Sequence, residues 1–135
     1  FEMWAPDIHQ KYEDCHKYVL SQSKALDCIN AESPHSVPFA SLTANLGPQT
    51  VCWPHQDTKN LSNGVCVVLV LGSFNYQYGG HIVLHEARLV VEMKPGDALF
   101  LPSAIITHET IPIQAEETRY SLVFYSAGGL FRWQD

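Results

Sequence analysis

The hydrophobic pattern divides the chain into a helical beginning and a longer part made of strands. Ile8, Tyr12, Cys15 and Val19 recur at intervals of four, three and four residues, which is the spacing of one face of an α-helix. This pattern predicts a helix that ends at residues 21–23, with Asp7 as its N-cap. A second helical piece is predicted over residues 24–30, followed by a loop rich in proline and serine over residues 31–38.

After Phe39 the chain consists of short apolar runs separated by turn residues. The longest run, residues 65–71, lies between Gly64 and Gly72 and predicts a central strand that is buried on both faces. About eight such strands predict a mainly β fold, a double-stranded β-helix or cupin-like jelly-roll with a central pocket. The predicted strands cover residues 41–46, 50–54, 65–71, 81–84, 88–92, 98–101, 105–111 and 119–126.

The length and composition fit one compact domain over residues 1–135, with a helical lead-in at 1–38 and a β core at 39–135. The net charge of -6 argues against a large phosphate-binding surface, although a local basic groove remains compatible with it. The four cysteines are too scattered for a disulfide framework or a zinc site, which favours a reducing, intracellular environment. We find no signal peptide and no apolar run of transmembrane length, and the start at Phe1 indicates a fragment of a longer protein.

The candidate chemistry is concentrated in His55-x-Asp57. Two residues at this spacing point to the same side of an extended strand, so they can bind one cation together. His108, at the start of a late strand, would complete a set of two histidines and one carboxylate, which is the ligand set of non-haem Fe(II) oxygenases. His81 and His85 compete with His108 for this role but are better explained as ordinary surface or core histidines. The remaining histidines, His9, His16 and His35, lie in the helical lead-in and are expected to be solvated.

Arg119 follows His108 by eleven residues and begins an apolar strand. A buried arginine at this position would bind the far carboxylate of a 2-oxo acid through a bidentate ion pair. The alternative is a surface arginine that pairs with Glu116 or Glu117. Together, the histidine pair, the carboxylate and Arg119 predict an oxygenase that uses Fe(II), 2-oxoglutarate and O2.

Several segments resemble the TET/JBP group of nucleic-acid-base oxygenases, in particular a large set of mushroom-type fungal members, many of which accompany transposable elements. The resemblance covers residue 39 to the C-terminus. It rests on the string from His55 to Gly64 (HQDTKNLSNG), on 79–84 (GGHIVL), on 94–103 (KPGDALFLPS) and on 125–133 (YSAGGLFRW). It implies oxidation of 5-methylcytosine in DNA, and therefore a nuclear protein whose partner is DNA with a modified base.

The resemblance also implies a role for each matching residue. His55, Asp57 and His108 would bind iron, Arg119 would anchor 2-oxoglutarate with Ser121 beside it, and Asn60 would contact the flipped base. Asn60 has a second interpretation, in which it only caps its own loop. Gln56 departs from the related motif, which usually has Arg there, and the cysteine-rich zinc-binding part of animal TET domains is missing.

Two other functions remain open at this stage. The same chemistry could act on a protein side chain or a small molecule, which the acidic composition favours. The chain could also be a cupin-like binding domain that has kept the fold and lost turnover. Arg132 and Trp133 are interpreted as packing and tail residues, with base stacking as the less favoured alternative.

Overall fold

A computed structural model describes residues 1–22, 25 and 37–135, which form two helices and eight strands. Most of the predicted second helix and loop (residues 24–36) lies outside the described residues. In chain order the elements are α1 (Pro6–Ser21), β1 (Ser41–Asn45), β2 (Cys52–His55), β3 (Cys66–Ser73), β4 (Ile82–Leu84), β5 (Leu89–Val91), β6 (Ala98–Leu101), β7 (His108–Thr110), β8 (Thr118–Tyr125) and α2 (Gly128–Gln134).

The eight strands form two antiparallel four-stranded sheets. One sheet has the order β1-β8-β3-β6, and the other has the order β2-β7-β4-β5. Strands that follow one another in the chain mostly alternate between the sheets, so the two sheets lie face to face as in a jelly-roll. The predicted mainly β, jelly-roll fold with an N-terminal helix is therefore confirmed.

The central strand β3 is buried only over its first part, which corrects the prediction of burial on both faces along its length. Cys66, Val67 and Val70 are buried, whereas Leu71 is 37% exposed and the two residues after it are exposed. The register explains this difference, because β6 pairs with β3 only as far as Leu69, while β8 continues to Ser73. The second half of β3 therefore has a partner strand on one side only.

The helices cover the outer face of the β1-β8-β3-β6 sheet. Tyr12, Cys15, Phe39, Val67 and Phe131 form one buried apolar cluster that joins α1, the sheet and α2. The Tyr12 hydroxyl donates to the Val65 carbonyl at 2.9 Å and accepts the Val65 N–H at 3.0 Å. Burial raises the pKa of Tyr12 to about 12, so the hydroxyl keeps its proton and both hydrogen bonds at neutral pH.

Two local predictions about the helices were wrong. The N-cap of α1 is Ala5, and it makes no side-chain hydrogen bond; Pro6 takes the first helical position, where its fixed φ favours helix initiation. Asp7 lies in the first turn instead, where its negative charge interacts favourably with the helix dipole. The segment Gly128–Gln134, expected to end the β region without a helix, forms α2, because Phe131 is buried against Tyr12.

Within the described ranges, neither helix has the length and apolar character needed to cross a membrane.

Candidate metal centre and adjoining pocket

A β-bulge in β2 allows Cys52 and His55 to face the same side. The register pairs Cys52 with Thr110 and His55 with His108, so β2 has one more residue than β7 between these two pairs. Pro54 lies within this irregular stretch of an edge strand, where its missing N–H costs no ladder hydrogen bond. Both side chains therefore line the space between the sheets, although an odd spacing would separate them in a regular strand.

The structure brings His55, Asp57 and His108 together, as the spacing predicts. One ligand atom from each residue lies within 4.8 Å of the other two. His55 Nε2 is 3.5 Å from Asp57 Oδ1, and His108 Nε2 is 4.0 Å from Asp57 Oδ2. Because two histidines and a carboxylate leave open coordination positions on an Fe(II) ion, this group has the donor chemistry of a non-haem iron site.

Backbone carbonyls fix which nitrogen each histidine presents to the centre. His55 Nδ1 lies 2.8 Å from the Trp53 carbonyl, and His108 Nδ1 lies 2.8 Å from the Ile106 carbonyl. A carbonyl can only accept, so each Nδ1 carries the hydrogen and each Nε2 presents its lone pair when the ring is neutral. In both cases the carbonyl belongs to the residue two positions before the histidine. A hydrogen bond at the second ring nitrogen is typical of histidines that bind metals, because it fixes the orientation of the ring.

Asp57 is held by the loop that follows β6 and by its own loop. Its N–H donates to the Ser103 carbonyl at 2.9 Å, and Asn60 Nδ2 donates to Asp57 Oδ2 at 3.5 Å and to Ser103 Oγ at 3.2 Å. The loop is fastened in turn to the start of α2, where Gly128 N–H donates to the Lys59 carbonyl at 2.8 Å. These contacts position the backbone of Asp57, and the long hydrogen bond from Asn60 orients its carboxylate.

The group opens into a cavity of about 520 Å³ between the two sheets. This volume is in the range of small-molecule sites. Arg119 lines the cavity together with the three candidate ligands, and other lining residues come from β1, β3 and β8 on one side and β2, β4 and β7 on the other. These are Thr43, Asn45, Cys66, Val68, Ser121, Val123 and Tyr125 on the first side, and Cys52, Ile82 and Thr110 on the second; Leu101 of β6 and the loop residues Gln56, Thr58, Lys59 and Asn60 also line the cavity.

Arg119 is 2% exposed and has no acidic partner among the described residues. Its Nη1 donates a long hydrogen bond of 3.4 Å to Thr50 Oγ1, while its Nε and Nη2 have no partner. The alternative pairing with Glu117 does not occur, because that carboxylate accepts the N–H groups of Asn75 and Gln114. Burial lowers the pKa of Arg119, but an arginine starts from so high a pKa that it keeps its charge.

Ser121 is buried two residues further along β8 and also lines the cavity. Its Oγ accepts a hydrogen bond of 3.0 Å from Asn45 Nδ2 on the neighbouring strand β1. Cys66 lines the cavity as well, and burial raises the pKa of its thiol to about 11, partly offset by a hydrogen bond with Ser103. The thiol is therefore protonated at neutral pH and is not a thiolate ligand.

The other histidines lie outside this group. His85 Nε2 is 3.0 Å from Glu109 Oε1 on the protein surface, and His81 is half-buried at the start of β4. His9 and His16 are half-buried in α1 rather than fully solvated, and burial lowers the pKa of His16. His35 lies outside the described residues.

Sequence reasoning missed three residues that support the site, namely Asn45, Thr50 and Ser103. Each contacts a candidate site residue that is more than 40 positions away in the chain. Only the register of the sheets brings these pairs together, so no local pattern indicates them.

No protein-family model matches the chain, and no curated protein matches it in sequence. The fold is similar to that of NgTET1, solved in complex with 5mC DNA, with a TM-score of 0.60 and 19% identity. The match covers 87% of this chain and 47% of that chain, so this chain spans about half the length of its structural relative. The viral collagen prolyl hydroxylase of Paramecium Bursaria Chlorella virus-1 matches with a TM-score of 0.41. Its two solved forms are 11% and 12% identical to this chain, with 62% and 77% of this chain and 52% and 69% of those chains covered.

At 19% identity the likeness to NgTET1 establishes a shared fold.

Proposed function

We propose that this protein is an Fe(II)- and 2-oxoglutarate-dependent dioxygenase that oxidises a methylated base, 5-methylcytosine, in DNA. One observation carries the proposal: a His-Asp-His group and a buried arginine with two unpartnered nitrogen atoms line the same cavity. A buried positive charge without a partner is energetically unfavourable, so a cavity that contains one is expected to bind an anion beside it.

The residues fit both the metal and the co-substrate. His55, Asp57 and His108 would hold the iron, and the guanidinium of Arg119 would pair with the distal carboxylate of 2-oxoglutarate. Ser121 would lie beside that carboxylate, since it follows Arg119 on the cavity side of β8. Bound iron and 2-oxoglutarate supply the activation of O2 and the oxidation of a substrate C–H bond.

The chain itself orients the reactants and limits the access of water. The two Nδ1 hydrogen bonds hold both Nε2 atoms toward the centre, and the surrounding sheets bury His108 and Arg119. Asn60 would contact the base: both of its described side-chain hydrogen bonds use Nδ2, so its carbonyl oxygen can accept from the exocyclic amino group of cytosine. A base in duplex DNA must leave the stack to reach such a pocket.

The DNA substrate is supported by the fold shared with NgTET1, whose structure contains 5mC DNA, and by the resemblance of the metal loop to the same group. A nuclear location and membership of the fungal branch belong to this proposal, as does a single functional unit over residues 1–135. The net charge of -6 favours the second candidate, an oxygenase that acts on a protein side chain or a small molecule.

The direct test loads the protein with Fe(II) and 2-oxoglutarate without oxygen and then admits air in the presence of a duplex with 5-methylcytosine. Mass spectrometry measures succinate and modified nucleosides, and the matched unmethylated duplex is the control. We expect hydroxymethyl-, formyl- or carboxylcytosine together with succinate. Succinate without base products would favour the second candidate, and no succinate at all would favour a binding domain without turnover.

Lys59 is the basic residue expected to contact DNA phosphate. It is exposed, lines the cavity mouth two residues after Asp57, and has no acidic partner among the described residues. We expect Lys59→Gln to reduce the slope of log affinity against log salt concentration by about 1, because one phosphate contact is lost. Binding is measured by fluorescence anisotropy of a labelled duplex. Lys17→Gln, which removes an exposed cation on α1, is the control, and an equal slope in all three proteins would contradict the prediction.

A further inference from the structure

Gln56, Thr107 and Glu109, which adjoin the candidate ligands in the chain, form a polar group around the turn between β4 and β5. Successive residues in an extended chain point to opposite sides. Thr107 and Glu109 flank His108 on this pattern, whereas Gln56 lies in the loop after β2, lines the cavity with His55 and Asp57, and extends its amide to Glu86. Gln56 and Thr107 contact Glu86 in the turn between β4 and β5, and Glu109 contacts His85 in the same turn.

Glu86, in that turn, contacts both segments that hold the metal site. Its Oε2 accepts the Thr107 N–H at 2.7 Å, and its Oε1 accepts the Thr107 hydroxyl at 2.7 Å. The same Oε1 accepts Gln56 Nε2 at 3.3 Å. One carboxylate thus contacts the residue between His55 and Asp57 and the residue immediately before His108.

Further hydrogen bonds complete the attachment of this turn. His85 N–H donates to the Thr107 carbonyl at 2.9 Å, and its ring contacts Glu109 at 3.0 Å. Gln56 Nε2 also lies within hydrogen-bond distance of Thr107 Oγ1 and the Ile105 carbonyl, each at 3.2 Å. Both residues next to His108 are therefore fastened to the β4–β5 turn.

We propose that Glu86 is a positioning residue for the metal centre, which helps to set the separation of His108 from Asp57 through Thr107 and Gln56. The strand ladder pairs His55 with His108 but does not reach Asp57, because β2 ends at His55. Asp57 thus lies beyond the paired part of its strand, so other contacts must fix the backbone. Hydrogen bonds lower the pKa of Glu86, chiefly those from Thr107, so the carboxylate is ionised and accepts at neutral pH.

The inference rests on the proposed metal site but not on the substrate, so its test uses metal binding alone. Co(II) serves as an air-stable probe whose visible absorption reports its coordination. We expect Glu86→Ala to weaken Co(II) binding about tenfold and to change the absorption band, since a lost supporting partner costs about 10–100-fold in affinity. Glu92→Ala, which removes an exposed carboxylate just beyond β5, is the matched control and is expected to bind like the wild type.

If Glu86 had a purely structural role, Glu86→Ala would lower the melting temperature but leave the Co(II) affinity and spectrum unchanged when measured 20 °C below melting. That result would overturn the proposal. Thr107→Val tests whether Glu86 acts through Thr107, because the substitution removes the hydroxyl and keeps the shape of the side chain. We expect Glu86→Ala and Thr107→Val to be non-additive in Co(II) affinity, as is usual for residues in one network. Additive losses of Co(II) affinity would show that Glu86 and Thr107 act independently, which would contradict the proposal. Failure of the wild-type protein to bind Co(II) would reject the metal site and this proposal together.

Discussion

Replacement of Asp57 by alanine is expected to abolish iron binding and all 2-oxoglutarate turnover. The substitution leaves only two protein ligands, His55 and His108, of which His55 is 3.5 Å and His108 4.0 Å from the lost carboxylate. Loss of a partner outside the ligand set already costs about 10–100-fold in metal affinity, so loss of a ligand is expected to cost more than about 100-fold. Fe(II) affinity is measured anaerobically by competition with a chelator, and succinate release measures turnover.

The control for this substitution is His81→Ala, which removes a half-buried histidine outside the candidate site. This variant is expected to bind iron as tightly as the wild type. Asp57→Ala should remain folded, because the loop keeps the backbone hydrogen bond from residue 57 to Ser103 and the contact between Lys59 and Gly128. Retention of wild-type iron affinity by folded Asp57→Ala would show that the metal is held elsewhere.

Replacement of Arg119 by methionine is expected to change ligand binding and stability in opposite directions. Arg119 is the anchor proposed for the distal carboxylate, so its loss should weaken 2-oxoglutarate binding by about 100-fold or more, since removal of one partner of a buried ion pair costs about 3–5 kcal/mol. Without the co-substrate, however, two guanidinium nitrogens are buried without partners. Their removal should raise the free energy of unfolding of the ligand-free protein by about 1–3 kcal/mol.

Both effects can be read from thermal unfolding with and without 2-oxoglutarate. The wild type should melt at a higher temperature with the ligand, because a ligand that binds only the folded state stabilises it. Arg119→Met should melt higher than the wild type without ligand and show no shift with it. Arg119→Lys keeps the charge but loses the bidentate geometry, so an intermediate shift is expected. A ligand shift in Arg119→Met equal to that of the wild type would locate the carboxylate elsewhere.

The candidate site could be predicted from the sequence because its chemistry lies in a few residue types at strand positions. The alternation of an extended chain predicted that His55 and Asp57 lie together, although Asp57 lies in the loop after β2, and a charged residue at the start of an apolar strand indicated Arg119. The geometry of the support could not be predicted. The contacts of Thr50 with Arg119 and of Glu86 with Thr107 depend on the register of strands that are far apart in the chain.

The fold could be predicted from the sequence to about the same extent as the candidate site. Turn residues and apolar runs located the eight strands, but the strand with His108 is shorter than the run 105–111, because residues 102–106 form a turn closed by the Pro102 carbonyl. The apolar Ile105 and Ile106 therefore belong to that turn. The helix α2 was missed because Gly128 and Gly129 disfavour helix, and tertiary contacts of Leu130, Phe131 and Trp133 stabilise it.

The attachment of the metal loop to α2 has a consequence for the order of events during synthesis. A chain emerges from the ribosome from its N-terminus, so His55 and Asp57 are available before the residues that hold them in place. The loop cannot take its final position until Ala127 and Gly128 have been made and have paired with Asn60 and Lys59. If the three residues bind iron, as proposed, the loop that carries two of the ligands therefore gains these contacts only after residues 127 and 128 have been made.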